Sequence, residues 1–132
     1  MMIKGYPFNR IMFVDSDPHV RESLKTLFSN GPAEYLFFKS GTDGLNSLKY
    51  NPADIVVSDY FLPDMDGITF LMEVGRLYAN AVRILTATLS CDHLVAQFRQ
   101  SGIDRFIEKP LNVEALDNII KEFDLRSKPY RR

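Results

Sequence analysis

The chain has 132 residues, 45% of them hydrophobic and 25% charged, which is one domain of ordinary size with enough apolar surface for a packed core. A formal net charge of -1 gives no general attraction for nucleic acid or membrane, and no apolar run approaches the roughly 20 residues needed to span a bilayer. The start, Met1 to Pro7, lacks the apolar stretch of a secretory leader, and the lone Cys91 cannot form an internal disulfide, so a reducing, cytoplasmic setting is expected.

Strand and helix signals alternate in chain order. Ile11 to Val14 is a short apolar run of the kind that forms a buried strand, and it runs into Asp15-Ser16-Asp17. Asp17-Pro18 reads as an N-cap followed by proline at the first helical position. Val20, Leu24, Leu27 and Phe28 follow at helical spacing, and Ser29-Asn30-Gly31-Pro32 stops that helix. Tyr35 to Phe38 is the second strand. Ser40-Gly41-Thr42-Asp43 caps a short helix carrying Leu45 and Leu48, which Asn51-Pro52 ends.

Ile55 to Ser58 is the third strand and runs into Asp59. The loop from Tyr60 to Asp66 leads to a helix over Gly67 to Leu77, with Ile68, Phe70, Leu71 and Val74 available to pack. Val82 to Leu85 is the fourth strand, ending in Thr86-Ala87-Thr88. Ser90 would cap a helix holding Leu94, Val95 and Phe98, closed by Gly102. Arg105 to Glu108 is the fifth strand and runs into Lys109-Pro110. Asn112 is a good N-cap for a last helix bearing Val113, Leu116, Ile119, Ile120 and Phe123, after which residues 126–132 form a basic tail.

Five strands alternating with five helices imply an α/β fold: a parallel sheet covered on both faces. Right-handed crossovers limit the strand orders to a few. The order 2-1-3-4-5 would set the first and third strands side by side and bring Asp15 and Asp59 together at the carboxyl edge of the sheet, where ligands bind. A carboxylate there can act as a nucleophile toward phosphorus, with Asp59 the leading candidate. Magnesium prefers one or two carboxylates with other oxygens and retained water, which Asp15, Asp59 and a loop carbonyl just after Asp59 would supply. Lys109 would pair with one phosphoryl oxygen, and the Thr86 hydroxyl would donate to another.

These residues resemble a known family. Phe13-Val14-Asp15-Ser16-Asp17-Pro18, the run from Val57 to Gly67 with its Asp59-x-x-x-Pro63-x-Met65-Asp66-Gly67 spacing, Leu85-Thr86-Ala87 and Phe106-Ile107-Glu108-Lys109-Pro110 are similar to a response-regulator receiver domain of two-component signalling. The likeness runs from about Arg10 to Asp124. It implies a three-layer, flavodoxin-like (βα)5 fold over residues 1–125, and it is also a source of the strand order above; residues 126–132 would be a tail or the start of a linker. Such a domain is either a stand-alone receiver or a piece of a larger regulator.

The resemblance also implies roles. Asp59 would accept phosphoryl from a sensor histidine kinase or a phosphotransfer protein and lose it slowly by self-dephosphorylation, in the manner of bacterial phosphorelays. Asp15, Asp59 and the Phe61 backbone carbonyl would hold Mg2+. Thr86 and Lys109 would contact the phosphoryl group, Phe106 would be the switch aromatic, and Lys109–Pro110 would be a cis peptide. The face made by the fourth helix, fifth strand and fifth helix would meet a downstream output protein or domain, or a second copy in a homodimer; no direct contact with nucleic acid or membrane is implied.

The chain departs from the family at two positions. Ser16 stands where a second acid binds the metal directly, and a neutral hydroxyl is a weaker ligand for a hard cation. Asp17, one residue on, either caps the helix alone or helps the metal from the outer shell. Phe106 lacks the hydroxyl of the tyrosine common at that place. Two other readings follow: a receiver-like protein-binding module that is not phosphorylated, motivated by Ser16, and a small phosphohydrolase with Asp15 as nucleophile, because Asp15-Ser16-Asp17 resembles the Asp-x-Asp start of haloacid-dehalogenase-type phosphatases. His19 and His93 lack metal-ligand spacing and read as surface or capping residues, Cys91 reads as a packed or half-exposed bystander, and Tyr6, Phe8 and the tail residues Tyr130, Arg131 and Arg132 read as loose termini, with contact to a partner as the alternative.

Overall fold

The strand ends do converge. A computed structural model describes residues 10–88 and 92–123, so the expected cap Ser90, Cys91 and both chain ends lie outside the described residues. The elements run β1 (Arg10–Val14), α1 (Pro18–Phe28), β2 (Glu34–Phe38), α2 (Gly41–Leu48), β3 (Ile55–Asp59), α3 (Gly67–Leu77), β4 (Val82–Ala87), α4 (Asp92–Ser101), β5 (Arg105–Glu108) and α5 (Val113–Glu122). The strands form one parallel sheet in the order β2-β1-β3-β4-β5, as expected.

Side chains alternate across each strand, and this splits the core into two layers. Ile11, Phe13, Val57 and Ile84 face α1 and α5, meeting Leu24, Phe28, Leu116 and Ile120. Met12, Val14, Val56 and Leu85 face the other way, toward Leu48, Phe70, Leu71, Val74 and Leu94. Each such side chain contributes roughly 1.5–3 kcal/mol by leaving water. Phe13 stacks between Phe28 and Phe37, so the α1 layer is held by rings as well as aliphatic chains. Leu27, placed at helical spacing with the core residues, instead stands 51% exposed.

The helix starts follow local chemistry. Asp17 accepts the amide of His19 at 2.8 Å, and Pro18 follows at the first helical position. Ser40 and Asn112 cap α2 and α5, accepting the amides of Asp43 and Ala115. Asp66, assigned from sequence only to a loop, caps α3 through the amide of Thr69. Gly102, at φ 79°, closes α4 in the left-handed region where glycine is favoured.

Three strand boundaries differ from expectation by one residue, at Arg10, Glu34 and Asp59, and the largest difference is at the end of β4. β4 continues past Leu85 through Thr86 and Ala87. Thr86 pairs in register with Asp59, and Ala87 with Glu108. The amides of Tyr60 and Lys109 donate to the Thr86 and Ala87 carbonyls at 2.8 Å each, so both flanking chains extend the ladder. Thr86 thereby becomes a strand residue beside Asp59 rather than a loop residue above it.

Candidate functional site

The carboxyl edge of the sheet gathers the charged residues singled out above. Lys109 Nζ lies 3.0 Å from Asp15 Oδ2 and 3.2 Å from Asp59 Oδ1. The side chains of Asp15 and Asp59 are 5% and 9% exposed, and that of Lys109 is 20% exposed. One ammonium therefore serves two nearly buried carboxylates. Burial, and then the like charge of Asp15, push the Asp59 carboxyl above its usual range, although Lys109 pulls the other way. For Lys109, burial alone favours the neutral amine, but the hydrogen bond and charge of Asp15, joined by those of Asp59, outweigh it and hold the ammonium above the usual lysine value.

The backbone fixes these groups at several points. The Asp15 amide donates to the Phe38 carbonyl at 3.0 Å, and the Arg21 guanidinium donates to the Asp15 carbonyl at 2.7 Å. Asp15 Oδ1 accepts the amide of Asp17 at 2.9 Å, leaving Oδ2 for Lys109. The buried Ser58 hydroxyl donates to the Asp59 carbonyl at 2.9 Å. Gly67 packs so closely that a Cβ there would collide with the Asp59 carbonyl oxygen, which requires glycine at the start of α3. The Lys109–Pro110 peptide is cis.

Thr86 is 2% exposed, and its hydroxyl donates to the Ser58 carbonyl over 3.5 Å, at the outer limit for a hydrogen bond. Phe106 is half-buried, and its ring lies 5.6 Å from that of Phe98 on α4. Leu94 is buried, whereas Val95 and Phe98 are half-buried. His19 and His93 are exposed, as expected of surface residues.

The two residues at the departure from the family pattern are now placed. Asp17 is exposed, and its carboxylate is engaged in capping α1; the His19 amide bond holds its carboxyl below the usual range. The exposed Ser16 hydroxyl lies 3.4 Å from the Phe61 carbonyl oxygen and points its donor at it. Among the described residues no group of three or more His, Cys, Asp or Glu side chains could by itself hold a metal ion. Asp15 and Asp59 offer two carboxylates whose mutual repulsion would favour an added cation, and the Phe61 carbonyl and Ser16 hydroxyl are further oxygens in the segments that follow β3 and β1. This fits a hard divalent ion such as Mg2+, which keeps much of its water.

Sequence reasoning missed three contacts that shape the site. Arg21 reaches back from α1 to the Asp15 carbonyl, and Ser16 and Phe61 belong to two loops whose meeting leaves no periodic signal. The third is Asp64, whose carboxylate accepts the Gly41 amide at 3.0 Å, the Thr42 amide at 2.8 Å and the Thr42 hydroxyl at 2.5 Å. The Thr42 hydroxyl bond, chief among these, holds the Asp64 carboxyl below its usual range. Beside the site, a groove of about 570 Å³ runs between α1 and the segment after β5, lined by Val20, Leu24, Leu27, Pro110 and Leu111 with Lys109 at its edge. No described helix is long and apolar enough to cross a membrane.

Comparison with known proteins converges on one family. The response regulator receiver domain family matches residues 11–121. The chemotaxis protein CheY of Bacillus subtilis is 30% identical over 107 residues, covering 80% of this chain and 89% of that protein. The transcriptional activator protein PfeR of Pseudomonas aeruginosa is 28% identical over 111 residues, which are 84% of this chain but 36% of PfeR. The crystal structure of the signal receiver domain of an HD domain-containing protein from Pseudomonas fluorescens superposes with a TM-score of 0.83 at 29% identity, covering 88% of this chain and 94% of that one. With a sheet in the order β2-β1-β3-β4-β5 and a family match over nearly all of it, the chain belongs to the response regulator receiver domains of two-component systems.

Proposed function

We propose that the domain is a phosphoryl-accepting switch with Asp59 as the acceptor. The observation that carries this reading is the single Lys109 ammonium placed between Asp15 and Asp59, with Thr86 paired in register beside Asp59. The Asp59 carboxylate attacks the phosphorus of a phosphohistidine on a sensor histidine kinase or a phosphotransfer protein. The P–N bond breaks as the acyl phosphate forms, and the imidazole leaves. Lys109 then neutralises charge on a phosphoryl oxygen, and the Thr86 hydroxyl, weakly held at 3.5 Å, turns to donate to another. Water later hydrolyses the acyl phosphate and returns Asp59 to its starting state.

Asp15, Asp59 and the Phe61 carbonyl would hold Mg2+, with Ser16 beside that carbonyl and Asp17 outside the ligand set because it caps α1. When bound, the ion offsets the negative charge that gathers as phosphoryl meets carboxylate. Movement of Thr86 would free space next to Phe106, and the Phe98–Phe106 contact would pass the change to the face of α4, β5 and α5. That face would meet a downstream output protein or domain, or a second copy of the chain. A phosphodonor would meet the apolar groove between α1 and the segment after β5, whose lining includes Lys109.

Incubation with acetyl phosphate or beryllofluoride in millimolar Mg2+, followed by mapping of the modified aspartate, tests the reading. An adduct on Asp59 is expected. An adduct on Asp15 would indicate the phosphohydrolase chemistry instead, and no adduct at all would leave a protein-binding module without phosphorylation. Ser16→Asp should tighten Mg2+ binding about tenfold, the equivalent of about 1.4 kcal/mol. An unchanged titration would place Ser16 outside the ion's reach.

A further inference from the structure

The Phe61 carbonyl is a donor atom whose own side chain does little to hold it. The Phe61 ring is 69% exposed and meets the Tyr60 ring edge-on at 4.9 Å. The position of the carbonyl is therefore set by the backbone of the loop from Tyr60 to Asp66. The base of that loop is closed by the Gly67 amide donating to the Tyr60 carbonyl at 2.6 Å and by a bridge between Phe61 and Asp66. Asp66 turns away to cap α3. The far side is tied down by Asp64, which reaches across 22 to 23 positions in sequence to the Thr42 amide and hydroxyl and to the Gly41 amide. Met65 lies against Gly41 so tightly that a Cβ on Gly41 would stand 2.7 Å from its sulfur.

We propose that Asp64 is a positioning residue for the cation-holding side of the site: it staples the loop between β3 and α3 to the N-terminus of α2 and so keeps the Phe61 carbonyl facing Ser16. The inference rests on the reading of Asp15, Asp59 and the Phe61 carbonyl as the set that holds Mg2+. Asp64 is suited to this because a carboxylate accepts strong hydrogen bonds from amides at a helix start. A donor atom fixed before the ion arrives costs less to order on binding. Without the staple, the loop would keep its closed base and the Met65–Gly41 contact but lose its hydrogen bonds to α2, and Phe61 would sample several orientations.

The test is a Mg2+ titration of the full chain by calorimetry, run beside thermal unfolding. Wild type must first give the Mg2+-dependent beryllofluoride adduct on Asp59; its failure would overturn the cation reading and the inference with it. Asp64→Ala is expected to weaken Mg2+ binding by about tenfold, the lower end of what outer-shell changes at metal sites produce. Asp64→Asn retains an acceptor oxygen and is expected to stay within about threefold of wild type. Ser40→Ala serves as the control: it removes the other cap of α2, the bond to the Asp43 amide, while sparing the staple. It should lower thermal stability and leave Mg2+ affinity unchanged. If Asp64→Ala binds Mg2+ as wild type does, or if Ser40→Ala weakens binding equally, then Asp64 serves only the stability of α2 and the proposal falls.

Discussion

Replacing Lys109 by Met is expected to cost the fold about 2 kcal/mol at pH 7, and to remove acyl-phosphate formation with it. Among the described residues Lys109 makes the only ion pair recorded for either Asp15 or Asp59, and both carboxylates are nearly buried. Methionine keeps most of the aliphatic stem, so the change removes charge more than packing. In Mg2+-free buffer two like charges would then face each other at nearly buried positions. Breaking a fully buried pair typically costs about 3–5 kcal/mol; the smaller figure here allows for a lysine head that still meets solvent. The Lys109→Met/Asp59→Asn double variant should regain most of the loss, because a single carboxylate remains. Urea unfolding of the two variants and wild type decides the matter. A loss below about 0.5 kcal/mol, within the range of ordinary surface changes, would mean that solvent balances the pair unaided.

Asp59→Asn is expected to do the reverse to stability: the fold gains about 1 kcal/mol at pH 7, while phosphoryl acceptance disappears. Burial and Asp15 raise the folded-state Asp59 carboxyl above its unfolded value, so the ionised form is the one the native site disfavours. The penalty is present at any pH above that raised value. It fades as the pH falls through it toward the ordinary aspartate value of about 3.9, below which Asp59 is neutral in both states. The advantage of asparagine should follow the same course, full at neutral pH and gone in acid. Denaturant midpoints across that range, read beside the beryllofluoride assay, provide the check. An asparagine variant no more stable than wild type at pH 7 would show that Lys109 more than offsets burial and Asp15. The pattern would be that of a site whose reactive group is kept at the expense of the fold.

Most of the architecture was legible because its signals are local. β1 and β3 read as short apolar runs, Asp17-Pro18 and Asn112 carried their caps in their immediate neighbours, and the acids at the strand ends announced where the carboxyl edge would be. The end of β4 was not legible, because Thr86, although β-branched, breaks the apolar run and Ala87 is a weak strand former; both are held in the strand by Asp59, Tyr60, Glu108 and Lys109 alongside. Leu27 had the spacing of a core residue but lies on the exposed flank of α1. Within the site, residue types and strand ends told which charges would meet. They did not reveal that Ser16 would point at the Phe61 carbonyl or that Asp64 would bind α2, since each joins segments more than 20 residues apart through loops without periodicity.

The burial of β3 has a mechanical consequence. Every residue of that strand, Asp59 included, is buried, and both neighbours hydrogen-bond to it. Asp59 thus stands at the end of a buried strand that is held on both sides up to Ser58 and by Thr86 beyond it. On the opposite side, the Thr86 hydroxyl is loosely held and the Phe106 ring is only half covered. The site works like a vice with one fixed jaw and one sliding jaw. If Asp59 accepts phosphoryl as proposed, the strain the new group brings would be relieved on the less tightly held side, toward Thr86 and Phe106, rather than by moving β3. On that reading the direction in which the domain would yield is set by two side chains, the weakly bonded Thr86 hydroxyl and the half-covered Phe106 ring.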